Sequence, residues 1–237
     1  MPTTNREVTR YGDTWIKSPG PAHDAVQRLR TEAMVLRRLG RSALLSTSGE
    51  LVIAHQGDPI HASEGMGALR RMIPALHRYH HTEIHGLTLE DGPEWAQRAR
   101  DTVETRLGQD HRLTHLAQRI YDRRPQQWYP ERAVLVHSDP HLDNWVEGAG
   151  KEPALLDWES AVTGPAELDW GCLAANAVKW CGEPAQQLLK RQCRDTEIFD
   201  WAFDAKTVLS TSWQLWRLGE IVNSPALEEV AARYEVS

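Results

Sequence analysis

Three oxygen-bearing side chains, Asp139, Asn144 and Asp157, stand just past short apolar runs in this 237-residue chain. The run Ala133-Val134-Leu135-Val136 reads as a buried strand and leads into His137-Ser138-Asp139-Pro140-His141-Leu142-Asp143-Asn144. A second run, Pro153 to Leu156, ends at Asp157, and Gly148-Ala149-Gly150 supplies a turn between the two. Two strand ends would deliver the three groups to one edge. Phosphoryl transfer to a hydroxyl needs such a set: a carboxylate that orients the acceptor and takes its proton, and oxygen ligands that hold Mg²⁺ against nucleotide phosphates. Mg²⁺ favours one or two carboxylates or amides together with waters and phosphate oxygens. Asp139 is the expected base, and Asn144 and Asp157 are the expected metal ligands. An alternative takes His137, Asp139 and His141 as ligands of a metal-dependent hydrolase, which needs further ligands at fitting spacings.

The spacing His-x-Asp-x-x-x-x-Asn is that of a kinase catalytic loop, with Asp157 where kinases keep their second metal-binding Asp. More closely, His137 to Asn144, then Leu156-Asp157-Trp158-Glu159, then Gly164-Pro165-Ala166-Glu167-Leu168-Asp169 resembles the aminoglycoside phosphotransferase and choline kinase-like families. Their pattern runs His-Gly-Asp-x-His-x-x-Asn, then Ile-Asp-Trp/Phe, then Asp-Pro-x-x-Asp-Leu-Ala. The resemblance is strong from Val134 to Ala174. It departs at Ser138, where Gly is usual, and at Gly164-Pro165, where the usual Asp before Pro is absent.

The resemblance implies an α+β, protein-kinase-like two-lobe fold. A reduced N-terminal nucleotide-binding β lobe would cover residues 1–56, and a mainly helical catalytic and substrate-binding lobe residues 57–237. The implied reaction moves the γ-phosphoryl group of ATP or GTP to a small-molecule hydroxyl. An aminoglycoside or related antibiotic is the first expectation, and with it antibiotic resistance. Choline-like, sugar or nucleoside acceptors, and a catalytically weak nucleotide-binding module, are the alternatives. His137 and Asp169 would support the catalytic loop, Asp169 from behind.

The elements that must position this set read as follows. Glu7 to Tyr11 and Thr14 to Lys17 form a hairpin around Gly12-Asp13, with Lys17 where kinases keep the lysine that grips nucleotide phosphates. Pro21 to Leu39 is a helix ended by Gly40, with Val26, Leu29, Ala33, Leu36 and Leu39 on its apolar face. Glu32 lies beside that face and would pair with Lys17. Sixteen residues precede Lys17 and contain one glycine, so the nucleotide roof is expected to be shortened. A second hairpin, Ala43 to Ala54, runs into a hinge whose His55, Gln56 and Gly57 backbone would bind the base.

From Ser63 the pattern turns helical, with a kink expected at Pro74. His77, His80, His81 and His85 crowd together, but their spacing suits no common zinc site and reads as a solvated helix end. Helices follow over 93–107, 111–124, 166–180, 187–193, 199–218 and 225–234. Trp128 and Tyr129 are cleft-covering or packing residues. In the resembled families the acceptor lies against the C-terminal helices, which makes Asp195, Glu197, Asp200, Asp204 and Glu220 weak candidates for holding acceptor ammonium groups.

Composition narrows the class. With 41% hydrophobic and 25% charged residues, the chain has the balance of an ordinary globular protein. A net charge of −6 argues against general nucleic-acid binding. Eight basic and six acidic residues precede Ser63, leaving 19 basic against 27 acidic after it, a weak hint of a cationic acceptor. Cys172, Cys181 and Cys193 form no Cys-x-x-Cys pair, and no apolar run approaches a membrane span or a signal core, so a reduced cytoplasmic setting is expected.

Overall fold

The computed structural model describes residues 8–21, 24–54, 57–126, 128, 132–147, 152–219 and 225–235. Strands β1 (Val8–Tyr11) and β2 (Thr14–Lys17) form the first hairpin. Helix α1 (Ala25–Arg38) follows, then β3 (Ala43–Leu45) and β4 (Leu51–Ala54), and the four strands make an antiparallel sheet in the order β1-β2-β4-β3. The helix starts at Ala25, later than the expected Pro21, and Gly40 ends it at φ 71°. Leu29, Ala33 and Leu36 are buried at helical spacing, and Glu32 shares that buried side.

Strand β5 (Asp58–Pro59) leads through a short turn at Ala62–Glu64 into α2 (Gly65–His80). Pro74 lies within this helix without ending it. It sits on the exposed side, where water can serve the carbonyl that its missing N–H leaves free. Strand β6 (Glu90–Asp91), α3 (Gly92–Leu107) and α4 (Arg112–Asp122) come next. Asp91 and Glu94 cap α3 reciprocally, Glu94 N–H donating to Asp91 at 2.9 Å and Asp91 N–H to Glu94 at 2.8 Å.

Strands β7 (Val134–Val136), β8 (Trp145–Glu147), β9 (Pro153–Leu155) and β10 (Val162–Gly164) then frame the site. The two strands expected from the sequence, β7 and β9, do not pair with each other. β7 pairs with β10, beside β6, while β9 pairs with β8, beside β5. The chain therefore crosses between two small sheets twice, from β7 to β8 and from β9 to β10. Residues 137–144 make the first crossing and 156–161 the second. β8 and β10 are as short as β7 and β9 but lie in no apolar run that would mark them in the sequence.

Helices α5 (Glu167–Cys181), α6 (Glu183–Lys190), α7 (Thr196–Leu218) and α8 (Pro225–Glu235) complete the chain. No described helix is long and apolar enough to cross a membrane. Trp145, Trp158 and Trp170 are fully buried, and the indole N–H groups of Trp145 and Trp158 donate to Pro140 O at 3.1 Å and Leu155 O at 2.9 Å. Trp128 packs edge-on against Trp201 at 5.4 Å. Tyr129 lies outside the described residues.

Helices α5 and α7 touch through Gly171, where a Cβ would stand 2.6 Å from Phe199 O and 2.7 Å from the Ala202 methyl. Both contacts are closer than van der Waals packing allows, and backbone cannot rotate away as a side chain can. Gly171→Ala is expected to destabilise the fold by about 1–3 kcal/mol. A thermal melting midpoint within a degree of wild type would show that the helices separate without cost.

Candidate active site

Lys17 ends β2 pointing inward, and its ammonium donates to both Glu32 carboxylate oxygens, at 2.7 and 2.8 Å, and to Asp157 Oδ1 at 2.8 Å. Glu32 is completely buried. Burial alone would lower the Lys17 pKa, but the Glu32 and Asp157 carboxylates outweigh it and hold the group above its ordinary value. The ammonium thus joins the first sheet, α1 and the loop after β9. Asp157 adopts a left-handed backbone, φ 63°, which turns the chain out of β9 into the Trp158–Ser160 turn.

The crossing from β7 to β8 carries the second set. Asp169, fully buried near the start of α5, accepts from the backbone N–H of His137 at 2.9 Å and of Ser138 at 2.8 Å. His137 has both ring nitrogens engaged: Nε2–H donates to Leu156 O at 2.6 Å, and Nδ1 accepts from Asp139 N–H at 3.2 Å. Burial, the largest influence, pushes its pKa down, and the ring packs on Trp158 at 4.6 Å. A neutral imidazole without an open nitrogen cannot serve as the first ligand of a hydrolase metal. The Asn144 side-chain amide donates to Asp139 O at 2.9 Å, and the Asn144 backbone carbonyl accepts from Leu156 N at 2.8 Å, one step beyond the paired Trp145 and Leu155. That register brings Asn144 beside the residue preceding Asp157.

Asp139 carries a partner on α7 that sequence reasoning missed. The Lys206 ammonium donates to its Oδ1 at 2.5 Å. Although 37% of the Asp139 side chain reaches solvent, the carboxyl is enclosed enough that burial would raise its pKa. Lys206, then His141, outweigh that effect and hold it at about 2. The signal for Lys206 was its spacing: it falls three and four residues after Phe203 and Ala202, on the buried stripe of a helix.

His80 was also misread. It is buried rather than solvated, and its Nε2–H donates to Asp169 Oδ2 at 3.0 Å. The buried Leu69, Met72 and Leu76 on the same helix marked that side as inward. His77 likewise packs on Trp170 at 4.8 Å.

Gly57 is described at φ 130°, whereas His55, Gln56 and Glu220 lie outside the described residues. The remaining acidic candidates have protein partners or face solvent. Asp195 caps α7 by accepting from Glu197 N at 2.9 Å and Ile198 N at 3.2 Å. Glu197 is exposed, Asp200 holds Lys190 at 2.6 Å, and Asp204 pairs with Arg233. For a divalent ion, the amide of Asn144 and the carboxylate of Asp157 are hard oxygen donors of the kind Mg²⁺ prefers. Carboxylate oxygens of Glu32, Asp157 and Glu159 lie within 4.8 Å of one another.

The fold and this site define a kinase-like phosphotransferase. Residues 20–205 match the phosphotransferase enzyme family, APH, and the chain belongs to that family. Its fold is similar to that of choline kinase LicA from Streptococcus pneumoniae, at 12% identity and TM-score 0.65, covering 97% of this chain and 90% of that one. LicA is also known in complex with AMP. Aminoglycoside phosphotransferase APH(3'')-Id from Streptomyces rimosus is similar at 15% identity and TM-score 0.63, over 86% of this chain and 92% of that one. Macrolide 2'-phosphotransferase MphH from Brachybacterium faecium is similar at 14% identity and TM-score 0.58, over 98% and 89% respectively. No curated protein sequence matches the chain significantly.

Ser138 stands at φ 66°, the region that favours glycine, and its Oγ–H donates to Ser160 O at 2.7 Å. Ser138→Ala keeps the strained backbone and loses that bond, so it should cost about 1–2 kcal/mol. Ser138→Gly should cost less, because relief of about 1 kcal/mol of left-handed strain offsets the loss. Denaturant midpoints decide this, and a Gly variant weaker than the Ala variant would refute it.

Burial pushes Asp204 up to about 6 from an ordinary 3.8, against the pull of Arg233. With the folded value above the unfolded one, its contribution to stability is present below the ordinary value and lost as pH rises through about 6. Wild type should therefore lose on the order of 2 kcal/mol between pH 4 and pH 8 through this group. Asp204→Asn should flatten that slope in chemical denaturation, and an unchanged slope would contradict the assignment.

Proposed function

We propose that this phosphotransferase is a small-molecule kinase that moves the γ-phosphoryl group of ATP or GTP to a substrate hydroxyl. The observation that carries the reading is the Lys17 ammonium, 2.7 Å from Glu32 and 2.8 Å from Asp157. A lysine held this way presents a fixed positive charge to nucleotide phosphates. Asn144 and Asp157 would hold Mg²⁺, which supplies neutralisation of the phosphate charge when bound. Asp139 accepts the acceptor O–H and directs its oxygen at the γ-phosphorus. Held at about 2, it is a weak base, so its main contribution is orientation, with the proton passing late in a loose transition state. His137 and Asp169 keep the loop in place. That LicA, a protein of the same fold, is known in complex with AMP supports nucleotide binding by this chain. Hydroxylated antibiotics, including aminoglycosides, and choline-like, sugar or nucleoside alcohols form the acceptor range to screen.

The test pairs titration calorimetry of Mg·ATP with an acceptor screen read by mass spectrometry for added phosphate. Asp157→Ala should abolish turnover and metal-dependent nucleotide binding. Asp139→Asn should lower turnover about 10²–10⁴-fold while nucleotide affinity stays within a few-fold. Full metal-dependent binding in the Asp157 variant would overturn the metal-ligand assignment.

A further inference from the structure

The Asp139 carboxylate stands among more positive charge than it can balance. Lys206 is bonded to its Oδ1 at 2.5 Å. The Arg106 guanidinium, on α3, reaches across to α7, where one nitrogen donates to Leu209 O and to Ser212 Oγ, both at 3.1 Å. Burial disfavours the Arg106 charge, and Asp139 is the carboxylate that supports it. Lys206 likewise draws its support first from Asp139, while Arg106 opposes it. Two permanent cations thus share one carboxylate. Lys179, whose ammonium lies 3.4 Å from Ser210 Oγ, feels Lys206 as a repulsive neighbour. The acidic side chains of α7 that could have reversed this balance are turned to other tasks: Asp195 to the helix end, Asp200 to Lys190 and Asp204 to Arg233.

We infer that Lys206 is a positioning residue for the transfer reaction, and that with Arg106 it selects acceptors whose surroundings at the reacting hydroxyl are neutral or anionic rather than ammonium-bearing. This rests on the kinase reading above and narrows its acceptor. With Oδ1 held by Lys206, Oδ2 is the oxygen left to accept the acceptor O–H; the His141 ring stands near it, Nε2 at 3.8 Å. In the reaction, the acceptor oxygen forms a bond to the γ-phosphorus as the bond from that phosphorus to the β,γ-bridging oxygen breaks. The acceptor proton passes to Oδ2 and the nucleoside diphosphate leaves. An ammonium beside the acceptor hydroxyl would meet the excess positive charge in an enclosed site, where screening by water is weak. A carboxylate or neutral hydroxyl there meets no such penalty.

The experiment compares D-glucosamine with D-glucose and D-glucuronate, and choline with glycerol and D-glycerate, using Mg·ATP and the full chain. In wild type the neutral or anionic members should exceed their ammonium counterparts at least about ten-fold in kcat/KM, a discrimination within the reach of one unfavourable charge contact. Lys206→Met should lower kcat at least about ten-fold with KM for ATP within about two-fold, and should narrow the gap between ammonium and neutral acceptors. Lys206→Arg should keep kcat within about five-fold, because it restores the charge. A merely structural lysine would not change the acceptor ranking. If Lys206→Met does not fold, the wild-type ranking and the Arg variant still decide. Preference for the ammonium members, or an unchanged ranking in Lys206→Met, would overturn the inference. Mg·ATP binding with no phosphate added to any acceptor would remove it while leaving the nucleotide site standing. Failure to bind Mg·ATP would instead remove the kinase reading itself.

Discussion

A carboxylate with no access to water has to be matched by donors, and Asp169 is matched by three: two backbone N–H groups of the loop and the imidazole of His80. Ionised carboxylates are costly to bury unless fully hydrogen-bonded, so this set tolerates little displacement of any member. The consequence is geometric. α5, α2 and the crossing after β7 are tied at one point, and the loop's path toward Asp139 and Asn144 is set by bonds to its backbone together with those made by the His137, Ser138 and Asn144 side chains. Ser138 can then hold a left-handed conformation because its N–H and hydroxyl are both anchored, at 2.8 Å and 2.7 Å.

The same economy appears around two further carboxylates. Asp157 and Asp139 each stand at a chain crossing, and each is met by a lysine from a distant part of the sequence, Lys17 and Lys206. Both lysines are largely buried, and both keep their charge because the carboxylates outweigh the cost of burial. In the proposed reaction Lys17 would serve the nucleotide and Lys206 the acceptor. Among the described residues, Lys17 is met by two carboxylates, Glu32 and Asp157, whereas Lys206 is bonded to Asp139 alone.

Much of the α+β architecture was legible in the chain because helices and hairpins announce themselves through spacing and turn residues. The β1–β2 and β3–β4 hairpins and α3, α4, α7 and α8 lie within a few residues of where periodicity put them. β8 and β10 were not legible because, unlike β7 and β9, neither lies in an apolar run: Trp145-Val146 is followed at once by Glu147 and Val162 by Thr163-Gly164, so each exists through its partners. Glu167 shows the same limit: its carboxylate accepts from Arg194 N at 3.0 Å, closing the turn before α7, a task no local rule assigns.

What the sequence alone determined was the set of chemically capable residues between His137 and Asp169 and their order, because close spacing along a chain constrains position whatever the remainder does. Tertiary structure decided which distant groups complete that set. Lys206 lies 67 residues from Asp139 and His80 lies 89 residues from Asp169. At such separations contact depends on how helices pack, and packing is a property of the whole core. The sign of the charge around Asp139 was decided there too, for counting charges along the chain cannot tell which are buried together and which face water.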